Sequence, residues 1–196
     1  MKATFFQRLG AYLIDAILVS IIVGIFSPIT QNSEKYEEIT TKSEQLIQNY
    51  MNNDIDIEKY QIEYQEISYE LDKINYKNNI ISLVIAISYY IIFCYLNHGQ
   101  TIGKRLLKIR IKSQTGLLTA KQIVIRALII NSIASTIMLL LFINFVSKNN
   151  YFVLKNVLTI LETIFVFASA ILILYRKDKR ALQDIITKTE VIVEKE

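Results

Sequence analysis

The chain has 196 residues, 52% of them hydrophobic, with one Pro, five Gly and a net charge of only +4, and a mean hydropathy of +0.32. Its apolar residues come in nearly uncharged blocks of about twenty, a pattern that excludes a water-soluble globular domain and fits a single membrane domain. A single Cys (Cys94) and a single His (His98) exclude an intrachain disulfide and any Cys- or His-based metal centre.

The first apolar block covers residues 9–30 and is interrupted only by Asp15. It is too long for a cleaved signal sequence and no A-x-A site follows, so it reads as a retained helix. The second block, residues 80–97, carries no charge. A third covers 123–146 with Arg126 near its start, and a fourth covers 151–175 with Lys155 near its start and Glu162 at its middle. Each is long enough to cross a hydrocarbon core of roughly 30 Å at about 1.5 Å per residue. The expected fold is therefore an all-α membrane domain of about four transmembrane helices, occupying residues 1–196.

Charge sets the direction. Residues 31–79 hold eleven Asp and Glu against five Lys, whereas residues 98–122 hold six Lys and Arg and no acid. The positive-inside rule places the second segment in the cytoplasm. With four spans, Lys2 and Arg8, and Arg176, Lys177, Lys179 and Arg180 of the tail 176–196, fall on the same side, so both termini are expected to be cytoplasmic.

The outer segment 31–79 reads as a helical hairpin. Apolar residues recur at Tyr60, Tyr64, Ile67, Leu71 and Ile74, a weaker stripe of Tyr36, Ile39, Leu46, Ile47 and Tyr50 precedes them, and MNNDID at 51–56 supplies the turn.

A charged residue at membrane depth costs about 2.5–3.5 kcal/mol on insertion scales, so each demands a partner or a purpose. Arg8 and Asp15 lie two helical turns apart, about 10 Å along the axis, too far for direct contact. Arg126 enters the third span at a depth matching Asp15, and an Asp15–Arg126 ion pair is the expected partnering. Glu162 sits near mid-membrane, at the depth of Asn131 and Ser135, where a hydrogen-bonded cluster would keep it tolerable. It would serve either as a proton or cation site or as a tie between helices. Ala16, Ser20 and Gly24 form a small-xxx-small stripe, which suits a helix of the same chain or of a second copy.

Between the second and third spans lies HGQTIGKRLLKIRIKSQTGLLTAKQ. Gly99 and Gly103 permit a tight turn, KIRIK alternates as a short strand, and Thr119 with Gln122 makes a capping box at the start of the third span. GQTIGKR has one residue too few between its glycines for a nucleotide-binding loop, and no Ser or Thr follows Lys104. Lys104, Arg105, Lys108, Arg110 and Lys112 are expected at anionic lipid headgroups.

FFQRLGAYLIDAIL with Arg8 and Asp15, GQTIGKRLLKIRI, Arg126 and DKRALQDIITKTEVIV with Asp184 occur in an order and spacing that resembles the RDD family of bacterial membrane proteins. The resemblance covers nearly the whole chain except the outer hairpin, which exceeds the family's short link. It implies a small helical domain in the bacterial cytoplasmic membrane, with Arg8, Asp15 and Asp184 as defining polar residues. Transport has been proposed for some members; Glu162 lies outside the pattern. Asp184, on a short amphipathic turn with Leu182, Ile185 and Ile186, is placed to pair with Arg8.

Two functions follow. One is small-ion or proton-coupled transport by an oligomer, using a polar network of Arg8, Asp15, Arg126, Glu162 and Asp184. The other is a non-catalytic accessory or scaffold role, docking a partner membrane protein through the hairpin or the basic loop. An enzyme is not expected, since His98 has no catalytic set around it, and no cofactor or metal is called for. The basic run is short and adjoins membrane on both sides, which excludes nucleic acid as a partner.

Overall fold

The computed structural model describes residues 1–30 and 33–194. Helix α1 (Phe5–Thr30) starts where Thr4 and Gln7 cap one another: the Gln7 side chain accepts the Thr4 N–H at 2.9 Å while the Thr4 hydroxyl accepts the Gln7 N–H at 3.3 Å. Leu13, Ile17, Ile21 and Ile25 recur every four residues along it and are exposed, the stripe that a lipid-facing helix presents.

Helices α2 (Ser33–Met51) and α3 (Ile57–Ile74) form the hairpin that the two apolar stripes predict. They bury Ile39, Leu46 and Ile67 against one another, with Tyr60, Leu71 and Ile74 packed around them. Asn53 takes a left-handed conformation in the turn (φ 61°), and the Asp56 carboxylate caps α3 by accepting the Lys59 N–H at 2.8 Å. Ile47 and Tyr50 of the weaker stripe stay exposed.

The second span, Tyr76–Leu96, consists of α4 (Tyr76–Ile87), a π-helical stretch (Ser88–Phe93) and α5 (Cys94–Leu96). Cys94 is buried in it as a small apolar side chain. After it come α6 (Ile102–Leu106) and strand β1 (Ile109–Ser113), the strand that KIRIK predicts. Thr119 and Gln122 form the expected capping box at the head of α7 (Ala120–Ile130).

The third span is not the continuous helix predicted over 123–146. It breaks after α7, and α8 (Ile133–Phe142) leaves at a bend of 70°. The joint is Ser132, in a left-handed conformation (φ 52°) that costs a non-glycine residue about 1–2 kcal/mol. Neither Asn131 nor Ser132 favours helix interiors, because short polar side chains compete for backbone hydrogen bonds; apolarity alone gave no sign of this. The two halves still connect opposite ends of the molecule, since Arg126 in α7 meets the C-terminal tail while the Ile143 carbonyl beyond α8 accepts the Tyr69 hydroxyl of the α2–α3 hairpin at 3.0 Å.

Helix α9 (Lys148–Tyr175) is the fourth span. Its N-terminal end holds the hairpin: Lys155 pairs with Asp72 at 2.6 Å, Tyr151 donates to the same carboxylate at 3.1 Å, and the Tyr69 and Tyr151 rings meet edge to face. At the other end follow α10 (Leu182–Ile186) and strand β2 (Thr189–Val193). β2 pairs antiparallel with β1, Ile109 opposite Val193 and Ser113 opposite Thr189. The N-terminus joins the same sheet, with the Ala3 N–H on the Val191 carbonyl and the Val193 N–H on that of Met1. Both termini and the basic loop are thus hydrogen-bonded together, over a core of Ala3, Ala11, Cys94, Ile109, Ile111, Ile123 and Val191.

Candidate functional site

Three polar centres interrupt the apolar helices. The first joins α1, α7 and the tail. Asp184 is fully buried and lies between two guanidiniums: Arg8 Nη1 reaches one carboxylate oxygen at 2.5 Å and Arg126 Nη1 bonds the other. The Ala181 N–H adds a third donor at 3.0 Å, Arg8 Nη2 donates to the Lys179 carbonyl at 2.8 Å, and Arg126 also bonds the Thr189 hydroxyl. Burial by itself would raise the Asp184 pKa, but Arg126 and Arg8 outweigh it and hold the carboxyl below its ordinary value. Around this triad, Ser169 of α9 donates to Gln183 at 2.9 Å and Gln122 of α7 to the Thr187 carbonyl at 2.9 Å, so three spans grip the short helix α10.

Asp15 forms the second centre, and here the expected Asp15–Arg126 pair is not found. Arg126 is taken by Asp184, and Asp15 is satisfied by neutral donors instead. The Tyr89 hydroxyl donates to Oδ1 at 2.5 Å, the Thr101 hydroxyl to Oδ2 at 2.5 Å and the Gly103 N–H to Oδ1 at 2.7 Å. Tyr89 in turn accepts the Ile102 N–H at 3.1 Å, and the Thr101 hydroxyl caps α6 by accepting from Lys104 N–H. The π-helical stretch carries Tyr89, which is where such a distortion of the helix places a functional side chain. Asp15, only 2% exposed, therefore fastens the GQTIGKR turn to α1.

The third centre is Glu162, near the middle of α9. Its carboxylate accepts the hydroxyls of Ser132 at 3.2 Å and of Ser135, at the start of α8, where the exposed N–H groups and dipole of a half-helix favour negative charge. The expected cluster with Ser135 is present; its second member is Ser132 rather than Asn131. Ser132 is exposed and Glu162 half-buried. Among the described residues no Lys or Arg is within ion-pair distance of Glu162.

Of the five network candidates, Arg8, Arg126 and Asp184 come together, while Asp15 and Glu162 stand in separate clusters. The basic residues of the loop are spread along α6 and β1: Arg105, Lys108, Arg110 and Lys112 are exposed, Arg110 lies 3.5 Å from Glu194, and Lys104 turns toward the protein at the mouth of a cavity. Tyr89, Thr101, Gly103, Ser132 and Thr189 were not anticipated as members of these networks. A tyrosine pair in an otherwise apolar span and the T-x-G spacing after it were the available signals.

Comparison with known proteins found no curated protein and no solved structure that matches this chain. The model of the RDD family matches residues 2–188, which takes in every member of the three polar centres except Thr189, and the chain belongs to the RDD family of membrane proteins.

Proposed function

We propose that this RDD-family membrane protein moves protons or small cations across the bacterial cytoplasmic membrane as an oligomer, with Glu162 as the exchanging carboxyl. The observation that carries this reading is a mid-span carboxylate at the break in the third span, held by two hydroxyls and not neutralised by a cation. Transporters build their substrate and ion sites at broken helices, and an ionisable residue inside a span marks a functional site by default. Ser132 is exposed and Glu162 only half-buried in one copy, so a second copy has to cover them to keep lipid out, and the path runs between copies. Asp15 and Asp184 each already accept from three fixed donors; on this reading they build the frame rather than carry the ion. No catalytic chemistry is part of the proposal.

Proton flux into proteoliposomes of the purified chain is the test. Glu162→Gln keeps both hydroxyl contacts but cannot ionise, and flux should fall at least tenfold with thermal stability little changed. Wild-type flux no greater than that of empty vesicles, or equal flux in the variant, sinks the reading.

The same proposal puts the sheet and both termini in the cytoplasm. In a Cys94→Ala background, Leu117→Cys, at a position 92% exposed beside the sheet, should react with an impermeant thiol reagent only after the cells are opened. Met51→Cys, 74% exposed at the hairpin tip, should react in intact cells. The reverse pattern inverts the orientation.

A partner protein docked on the hairpin is a second reading, favoured by Tyr50, Met51 and Ile57, which leave an exposed apolar tip. A photo-crosslinker placed at Met51 should then capture one stoichiometric protein in native membranes, and capture of none removes this reading.

A further inference from the structure

A cavity of about 330 Å³ opens between α1, α7 and α9 at the end of the molecule that holds the sheet, with Ile109, Ile111 and Val191 as its floor. Its walls are mostly apolar, including Leu9 and Tyr12 of α1 and Val166 and Phe167 of α9, all exposed at the rim. Its charged lining residues are Arg8, Asp15, Lys104 and Arg126, beside the neutral Asn131, Ser169 and Gln183. Counting Asp184 behind Arg8 and Arg126, three cations face two carboxylates, which leaves one positive charge unbalanced.

Two donors in this lining have no partner. The Arg8 side chain is nine-tenths buried, and with Nη1 on Asp184 and Nη2 on the Lys179 carbonyl, its Nε–H remains buried and unsatisfied. An orphaned charged donor of this kind is costly unless something occupies the site. The Lys104 ammonium, half-buried at the mouth, has no ion pair or hydrogen bond among the described residues. The cavity is at the lower end of the roughly 300–1,000 Å³ typical of ligand pockets, enough for a headgroup but not for a pair of acyl chains.

We propose that this cavity is a specific site for one anionic glycerophospholipid of the inner leaflet. The headgroup phosphate accepts from Lys104, with the Arg8 guanidinium in the lining as a second positive charge, and the acyl chains leave between α1 and α9 along Leu9, Tyr12, Val166 and Phe167. A single phosphodiester charge matches the single unbalanced cation. The exposed apolar rim selects a molecule with a tail over a free oxyanion. This differs from general attraction of the loop to the membrane, because Arg105 and Lys112 carry the same charge on the exposed surface but do not line the cavity.

Binding is read from the thermal midpoint of the full chain in a neutral detergent as lipid is titrated in. Phosphatidylglycerol should raise the midpoint saturably, phosphatidylcholine and inorganic phosphate should not. Lys104→Gln should weaken the phosphatidylglycerol response about fivefold, the effect of losing one cation near a headgroup, and Lys112→Gln should leave it unchanged. Ala170→Phe, which fills the cavity from α9 without touching a charge, should abolish it. Since neither the Lys104 nor the Ala170 side chain belongs to the Asp184 or Asp15 networks, and Lys104 joins the latter only through its backbone N–H, these variants can be read on folded protein. An equal response to phosphate makes the site one for free oxyanions and overturns the lipid assignment. An equal response to phosphatidylcholine, or equal loss in Lys112→Gln and Lys104→Gln, reduces it to surface attraction and overturns the site. The outcome is independent of Glu162 and of any flux.

Discussion

Replacing Asp184 with Ala is expected to destabilise the protein by about 3–5 kcal/mol, because it leaves two guanidiniums facing each other in a buried site with no counter-charge. The charge count gives the order of effects in this triad. With Asp184 between Arg8 and Arg126 the site carries one net positive charge; without Asp184 it carries two, and without Arg8 it carries none. Arg8→Met should therefore cost clearly less than Asp184→Ala, although both remove the same 2.5 Å ion pair. Since Arg8 is also bonded to the Lys179 carbonyl, and the tail is held to the spans chiefly through α10, loss of Asp184 should expose the segment between Arg176 and Arg180 to trypsin. Thermal melting in mild detergent, combined with limited proteolysis of the same detergent-solubilised protein, reads both consequences. Equal melting of the two variants would contradict the triad. The pH dependence has a definite sign. The folded-state pKa of Asp184 lies below its ordinary value, so its contribution is present above about pH 3.9, the unfolded carboxyl's value, and is lost as pH falls through the lower folded value. Melting curves from pH 5 to 8 should show no transition from this group.

Much of this arrangement can be read from the sequence where the relevant signal runs along the chain. The hairpin follows from the spacing of Ile67, Leu71 and Ile74, the strand from KIRIK, and the Arg8–Asp184 pair from the short amphipathic turn that carries Asp184 back toward the first span. The Asp15–Arg126 pairing fails for a physical reason. Counting residues gives depth in the membrane but not the direction a side chain takes around its helix, and Asp184, expected beside Arg8 alone, takes Arg126 as well. Asp15 illustrates a second blind spot. Its partners are a tyrosine, a threonine and a backbone N–H, and neutral donors carry no charge pattern to betray them. The break at Ser132 was hidden because apolarity runs on either side of Asn131 and Ser132, and the joint is held by contacts the sequence does not display: hydroxyl bonds to Glu162 and Ser135 and Thr136 donating to the Ser132 carbonyl. Strand β2 was legible in part: TEVIV alternates, but its membership of a sheet depends on β1 lying some eighty positions earlier.

Gly103→Ala should be as damaging as the loss of Asp184, though it introduces only one methyl group. A Cβ at this position would fall 2.3 Å from the Ala11 carbonyl oxygen and 2.8 Å from Asp15 Oδ1. The first of these is helix backbone and cannot rotate away, so α6 has to withdraw from α1. Withdrawal breaks the Gly103 N–H bond to Asp15 and pulls Thr101 with it, because both donors sit on the same turn. A buried carboxylate would then retain only Tyr89 as a donor. Overpacking costs about 1–3 kcal/mol and each hydrogen bond to a charged group about 1.5–3 kcal/mol, so a loss of about 4 kcal/mol or more is expected, enough to prevent accumulation of folded protein. Gly24→Ala is the control, since nothing lies within 4 Å of a Cβ there, and it should melt like the wild type. A double-mutant cycle separates the two parts of the effect. On an Asp15→Ala background the hydrogen-bond share has already been lost and the carbonyl clash remains, so Gly103→Ala should cost less there, but not nothing. Strict additivity would mean that Gly103 and Asp15 act independently and that the turn is held to α1 by some other contact. Wild-type melting of Gly103→Ala would mean that α6 does not pack on α1 as closely as these distances require.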